Sequence, residues 1–142
     1  KFEKLEYDLL KLVLDQPELV LLIEKEIDYA FFIDEKVPSI LQAIKKALLA
    51  ETDVSDVTKI LDYIQEEKEK QLVLMLSALD AFPDNDRLVE DVVKSFKILG
   101  LKRQERDLRR KISEAEKEGN FIVVHELTLV LAKLQKQIQS LK

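Results

Sequence analysis

ILGLKRQERDLRRKISEAEKEGNFIVVHELTLVLAKLQKQIQSLK, residues 98–142, decides how this chain folds. Its second half places apolar side chains at Val124, Leu127, Leu131, Leu134, Ile138 and Leu141. Steps of three and four residues alternate, the a/d repeat that keeps one stripe turned toward a partner helix. The first half mirrors it with Ile98, Leu101, Leu108, Ile112 and Ala115, and Glu105 fills one slot of the series. Gly119-Asn120 separates the halves. Glycine suits the left-handed residue that closes a helix, and asparagine is a preferred cap for the next one. The stretch therefore reads as a long antiparallel helical hairpin with arms of about 30 Å, at 1.5 Å per residue. Two helices alone bury too little to hold a fold, so the hairpin is expected to project from a larger body.

That body is residues 1–97, read as a five- or six-helix bundle, with residues 98–142 as a hairpin subdomain on the shared long helix. Leu5, Leu9 and Leu12 fall on one face of a first helix, with Phe2 in the same row and Leu10, Val13 and Leu14 widening it. Pro17 disfavours helical geometry at the residue before it and suits the first turn of the next helix. Leu19 to Ile27 is apolar around much of its circumference, which predicts burial on more than one side. Tyr29, Phe31 and Phe32 lie in a connection and are expected to fold down as a core plug.

A third helix follows around Pro38, carrying Ile40, Leu41, Ile44, Ala47 and Leu48. Glu51-Thr52-Asp53 is read as the cap of a fourth, with Val57, Ile60, Leu61 and Ile64. The acids of Glu66–Lys70 suit the positive end of a fifth, whose face is expected to be Leu72, Met75, Leu76 and Leu79. Asp84 or Asp86 caps a sixth, which has Val89, Val92, Val93, Phe96 and Leu99 and no stop before Gly119. Gly100 is a point where that helix can bend.

Composition bounds the chemistry. The chain has 142 residues, 46% hydrophobic and 36% charged, with only two glycines, so an all-α protein is expected. The longest apolar runs, Leu19–Ile23 and Leu72–Leu76, have five residues, too few for a membrane span. Cysteine is absent, which fits a cytoplasmic setting and removes thiolate metal sites. Two glycines cannot build a phosphate-cradling loop. His125 is the lone histidine, with no second ligand at helical spacing, so neither a metal site nor a Ser-His pair is expected. No carboxylate pair stands out. The reading is a non-catalytic domain without cofactor or metal.

Two features exceed what closing a hairpin needs. Ile122 and Leu129 form an additional apolar row seven residues apart, and Val123 and Val130 form another. This surplus faces the bundle, a second copy of the chain, or a different protein. The first arm also packs Lys102, Arg103, Arg106, Arg109, Arg110 and Lys111 into ten residues against Glu105 and Asp107. A solvated helix with Glu105–Arg109 and Asp107–Lys111 pairs is one reading, and steering toward an acidic partner or nucleic acid is the other. The net charge of −5 argues against nucleic acid as a direct ligand.

Taken together, the chain resembles the C-terminal, helicase-binding domain of bacterial DnaG-type replicative primases. LKRQERDLRRKISEAEKEGNFIVVHELTLVLAKLQKQIQSLK (residues 101–142) is similar to that family's basic-then-acidic helix, small-residue turn and Leu-rich closing helix. EKLEYDLLKLVLDQPELV (3–20) resembles its first two helices, and KQLVLMLSALDAF (70–82) the helix before the long connecting one. The resemblance implies docking onto the N-terminal collar of the hexameric replicative DNA helicase, recruiting primase to the fork and modulating helicase activity. The zinc-binding and RNA-polymerase domains of such a DNA primase, a DNA-directed RNA polymerase, would precede Lys1. It further implies a partner-binding surface of Phe121, Ile122, Val123, Leu129, Val130, Lys133, Lys136 and Gln137, the apolar members entering a groove and the lysines forming a polar rim. The N-terminal domain of the DnaB-type helicase shares this fold and is the nearest alternative. A structural dimer or adaptor formed by hairpin pairing or exchange is another.

Overall fold

The computed structural model describes residues 2–82 and 86–142. Among these the chain is all-helical, with seven α-helices, one 3-10 turn and no strand. It divides into two compact units, Lys1–Phe96 and Lys97–Lys142.

The first unit contains α1 (Phe2–Asp15), α2 (Leu19–Glu26), a 3-10 turn (Tyr29–Phe31), α3 (Lys36–Leu49), α4 (Val57–Leu61), α5 (Glu67–Ser77) and the opening turns of α6 (Asp86–Lys117). Helix α1 packs against α2, α3 and α5, and α3 also meets α4 and α5. Leu9, Leu10, Leu12, Val13 and Leu14 are all buried, as are Val37, Ile40, Leu41, Ile44 and Ala47 of α3. Helix α1 stops two residues before Pro17, as the steric clash with the proline ring requires. Pro17 itself lies in the turn, its carbonyl accepting the Val20 N–H at 3.1 Å, and α2 begins at Leu19.

The aromatic connection is a plug. Asp28 caps the 3-10 turn, its carboxylate accepting the Ala30 N–H at 2.9 Å. Phe31 and Phe32 are buried, and Phe32 lies 4.7 Å from the fully buried Phe96 of α6 between ring centroids. Tyr29 meets Phe32 edge-on at 5.7 Å. Burial, reinforced by the charge of Glu24, pushes the Tyr29 hydroxyl up to about 12.

Two charges are buried on α1. The Glu6 carboxylate is wholly covered and accepts the N–H groups of Ile33 and Asp34 at 2.8 and 3.1 Å. The Lys11 ammonium donates to the Leu79 carbonyl at 2.9 Å and pairs with Asp15 at 2.9 Å. Asp34 in turn accepts the Tyr7 hydroxyl at 2.6 Å and pairs with the Lys36 ammonium at 3.1 Å. Burial would raise the Asp34 carboxyl, but the Tyr7 hydroxyl, the Lys36 N–H and the Lys36 charge together hold it below the usual carboxylate value.

Several local expectations are corrected. Glu51-Thr52 ends α3 rather than starting α4: Glu51 sits at φ +57°, and the Thr52 and Glu51 N–H groups return to the carbonyls of Ala47 and Leu48. This is the 6→1 and 5→2 closure that glycine usually makes. The cap of α4 is Asp56, whose carboxylate accepts the Thr58 N–H at 3.0 Å. Helix α2 is not buried on more than one side, since Leu21 and Leu22 are exposed while Val20 and Ile23 are covered. Helix α5 buries Leu72, Val73 and Leu76 and leaves Met75 exposed; it ends at Ser77, so Leu79, also exposed, lies beyond it. The five consecutive apolar residues 72–76 fit two helical registers, and packing on α1, α3 and α4 selects this one. Asp84 and the side chains of Phe2 and Asp86 lie outside the described residues.

The second unit consists of α6 from Lys97 onward and α7 (Phe121–Leu141). The long helix runs through Gly100 without interruption.

Candidate protein-docking surface

Three residues, 118–120, separate the two helices of the second unit, and their geometry is closely determined. Gly119 adopts φ +71°, the left-handed conformation that a side chain resists. The Asn120 N–H returns to the Ala115 carbonyl at 2.9 Å and the Gly119 N–H to Glu116 at 3.1 Å, which satisfies the last carbonyls of α6. Asn120 then caps α7, its side-chain oxygen accepting the Val123 N–H at 3.3 Å. One dipeptide thus ends one helix and starts the next.

The a/d stripes are the sheltered faces of both helices. Ala115, Leu134 and Ile138 are buried, and Ile98, Leu101, Leu108, Ile112, Val124, Leu127, Leu131 and Leu141 are half-buried. Glu105, in the interrupted slot, is also half-buried and pairs with Arg109 at 3.8 Å.

The surplus apolar residues of α7 are placed otherwise. At about 100° per residue, Ile122 and Leu129 point roughly 150–170° away from the centre of the α7 stripe. They are 75% and 55% exposed, and Phe121 and Val130 are exposed on either flank. Val123, nearer the stripe, is half-buried, so the second expected row does not share the exposure of the first. Lys133 and Lys136 fall on the same outer sector as Ile122 and Leu129, with Gln137 and Glu126 beside it, all exposed. His125 is exposed on that side too.

The basic residues of α6 do not form one patch. Arg106 and Arg110 are exposed and share a sector opposite the stripe with the half-buried Arg103. Lys102, Arg109 and Lys111 are exposed but spread to the flanks. Glu105–Arg109 forms as expected; Arg110–Glu114, at 3.8 Å, is a second four-residue pair.

No group of three metal-ligating side chains occurs among the described residues. No helix among them is long and apolar enough to cross a membrane. What the outer face of α7 can do chemically is enter an apolar groove: it offers large aliphatic and aromatic side chains on a rigid helix, bordered by cations.

Sequence reading missed the exposed apolar side chains of the first unit, Leu74 and Met75 on α5, Leu79 just beyond it, and Leu21 and Leu22 on α2. It also missed the buried Glu6. A signal for Glu6 existed, because it stands in the apolar row continued by Leu9, Leu10 and Val13.

Comparison of the chain with protein-family models and with curated proteins finds no match.

Proposed function

We propose that this chain is a non-catalytic docking module of the replicative-primase type. In this reading a helical bundle over residues 1–97 carries an antiparallel helical hairpin over 98–142, and the hairpin binds the N-terminal collar of the hexameric replicative helicase. The module recruits primase to the fork in the cytoplasm and modulates the helicase, while primer synthesis belongs to other domains of the parent DNA primase. The alternative within the same fold is the N-terminal domain of the helicase itself.

The observation that carries the reading is the exposure of Ile122 and Leu129 on the side of α7 turned away from its own stripe. Apolar side chains at i and i+7 on an outer helical face are the anchors of a helix-in-groove contact. The whole-chain resemblance to primase helicase-binding domains supplies the identity of the groove.

The test is co-purification with the replicative helicase of the same source, using the full chain and the variant Ile122→Glu/Leu129→Glu. The wild-type chain is expected to form a complex. The variant is expected to lose it while keeping its helical circular-dichroism signal and melting temperature. A helicase that captures both chains equally, or neither, overturns the reading.

A further inference from the structure

The outer sector of α7 is chemically polarised along its length. Its first two turns present Ile122, and Leu129 follows one heptad on, about 10.5 Å along the axis. Lys133 and Lys136 continue the same sector about 6 and 10.5 Å beyond Leu129. From Leu127 to Lys142 the sequence contains three lysines and no acid. Neither Lys133 nor Lys136 is engaged in an ion pair among the described residues. Glu126, the only acid of α7, borders this sector and lies along the axis between the two apolar anchors.

We infer that the partner groove is acidic at one end, so that α7 docks in a single polarity, Ile122 and Leu129 in an apolar pocket and Lys133 and Lys136 against carboxylates beyond it. This rests on the docking reading above and adds the charge and direction of the surface that receives the helix. An apolar slot alone would accept α7 in either direction, and cations at one end remove that ambiguity.

Helix α7 of a second copy fits the sector poorly. Parallel pairing of two α7 helices sets Lys133 beside Lys133 and Lys136 beside Lys136. Antiparallel pairing that seats Ile122 on Leu129 of the second copy has its midpoint between residues 125 and 126. There Glu126 faces Glu126 of the second copy. Both arrangements place like charges together, which destabilises a helix pair.

The experiment measures affinity of the full chain for the N-terminal domain of the helicase at about 50 mM and about 500 mM salt. Wild type, Lys133→Glu/Lys136→Glu and Ile122→Glu/Leu129→Glu are compared. The lysine variant is expected to bind at least about tenfold more weakly at low salt, with the difference shrinking below about threefold at high salt. The apolar variant is expected to lose binding at both. If the apolar variant fails while the lysine variant binds like wild type, the acidic groove is wrong and the docking reading stands. If wild type does not bind, both fall. Two further results overturn the inference: a wild-type dimer that the apolar variant dissociates in light scattering, and binding of a 20-base-pair DNA duplex that the lysine variant abolishes.

Discussion

The Glu6 carboxylate takes the Ile33 N–H at 2.8 Å and the neighbouring Asp34 N–H at 3.1 Å. A fully covered acid on the central helix thereby fixes the backbone that leaves the aromatic plug and enters α3. Two amide donors in a part-buried segment without regular structure would otherwise lose their acceptor, which costs about 1–3 kcal/mol each where no water replaces it. Glu6→Ala is expected to lower unfolding free energy by about 2–4 kcal/mol. Glu6→Gln, which keeps one acceptor oxygen, is expected to cost less than half of that. Urea denaturation followed by circular dichroism measures both. Equal losses for the two variants would mean that the negative charge, which glutamine lacks, and not packing volume or the retained acceptor oxygen, sets the contribution.

Asp34 makes the same region sensitive to acid. Its carboxyl is held below the ordinary value when folded, so the folded state binds the proton less readily than the unfolded state. The stability it contributes is present above the unfolded carboxylate value of about 3.9, and disappears as pH falls through the lower folded value. Asp34→Asn is therefore expected to be less stable than wild type at pH 7, and the gap should narrow as pH falls below about 4. Thermal melts at several pH values check this. A gap independent of pH would mean that the Asp34 carboxyl binds its proton equally well in the folded and unfolded states.

Glu51 closes α3 in the left-handed conformation without being glycine. A side chain there costs roughly 1 kcal/mol in local strain, which glycine does not suffer. Glu51→Gly is expected to raise stability by about 0.5–1 kcal/mol and shift the melting temperature up by a few degrees. A decrease would mean that the glutamate side chain makes a contribution larger than its strain.

Long-period signals were legible in the sequence and short-range competitions were not. The stripes of the last two helices, the Gly119-Asn120 break and the stop before Pro17 follow from heptad spacing and backbone sterics, which act locally. The register of α5 is ambiguous in sequence because five consecutive apolar residues present an apolar side chain in every direction, and only contact with α1, α3 and α4 decides. Glu51-Thr52 reads as a helix start because acids and threonine favour such positions, whereas the chain ends α3 there with Glu51 in the left-handed conformation. For the candidate surface, heptad spacing separated Ile122 and Leu129 from the stripe. It could not rank Val123, which borders the stripe and is half-buried, against Val130, which is exposed.

The two faces of α7 should respond oppositely to truncation. Leu134 is 6% exposed and Leu129 is 55% exposed on the same helix, five residues apart. Removing a buried leucine side chain costs about 2–5 kcal/mol through lost burial and the cavity left behind. An exposed one far from such features changes stability by roughly 0.5 kcal/mol or less. Leu134→Ala is accordingly expected to weaken amide hydrogen-exchange protection across α7, with Leu129→Ala indistinguishable from wild type in the same measurement. If the proposed docking on a helicase N-terminal domain holds, Leu129→Ala is expected to be the variant with the larger loss of binding per folded molecule. If Leu129→Ala instead reduces protection as much as Leu134→Ala, its side chain belongs to the core in solution and cannot serve as an anchor.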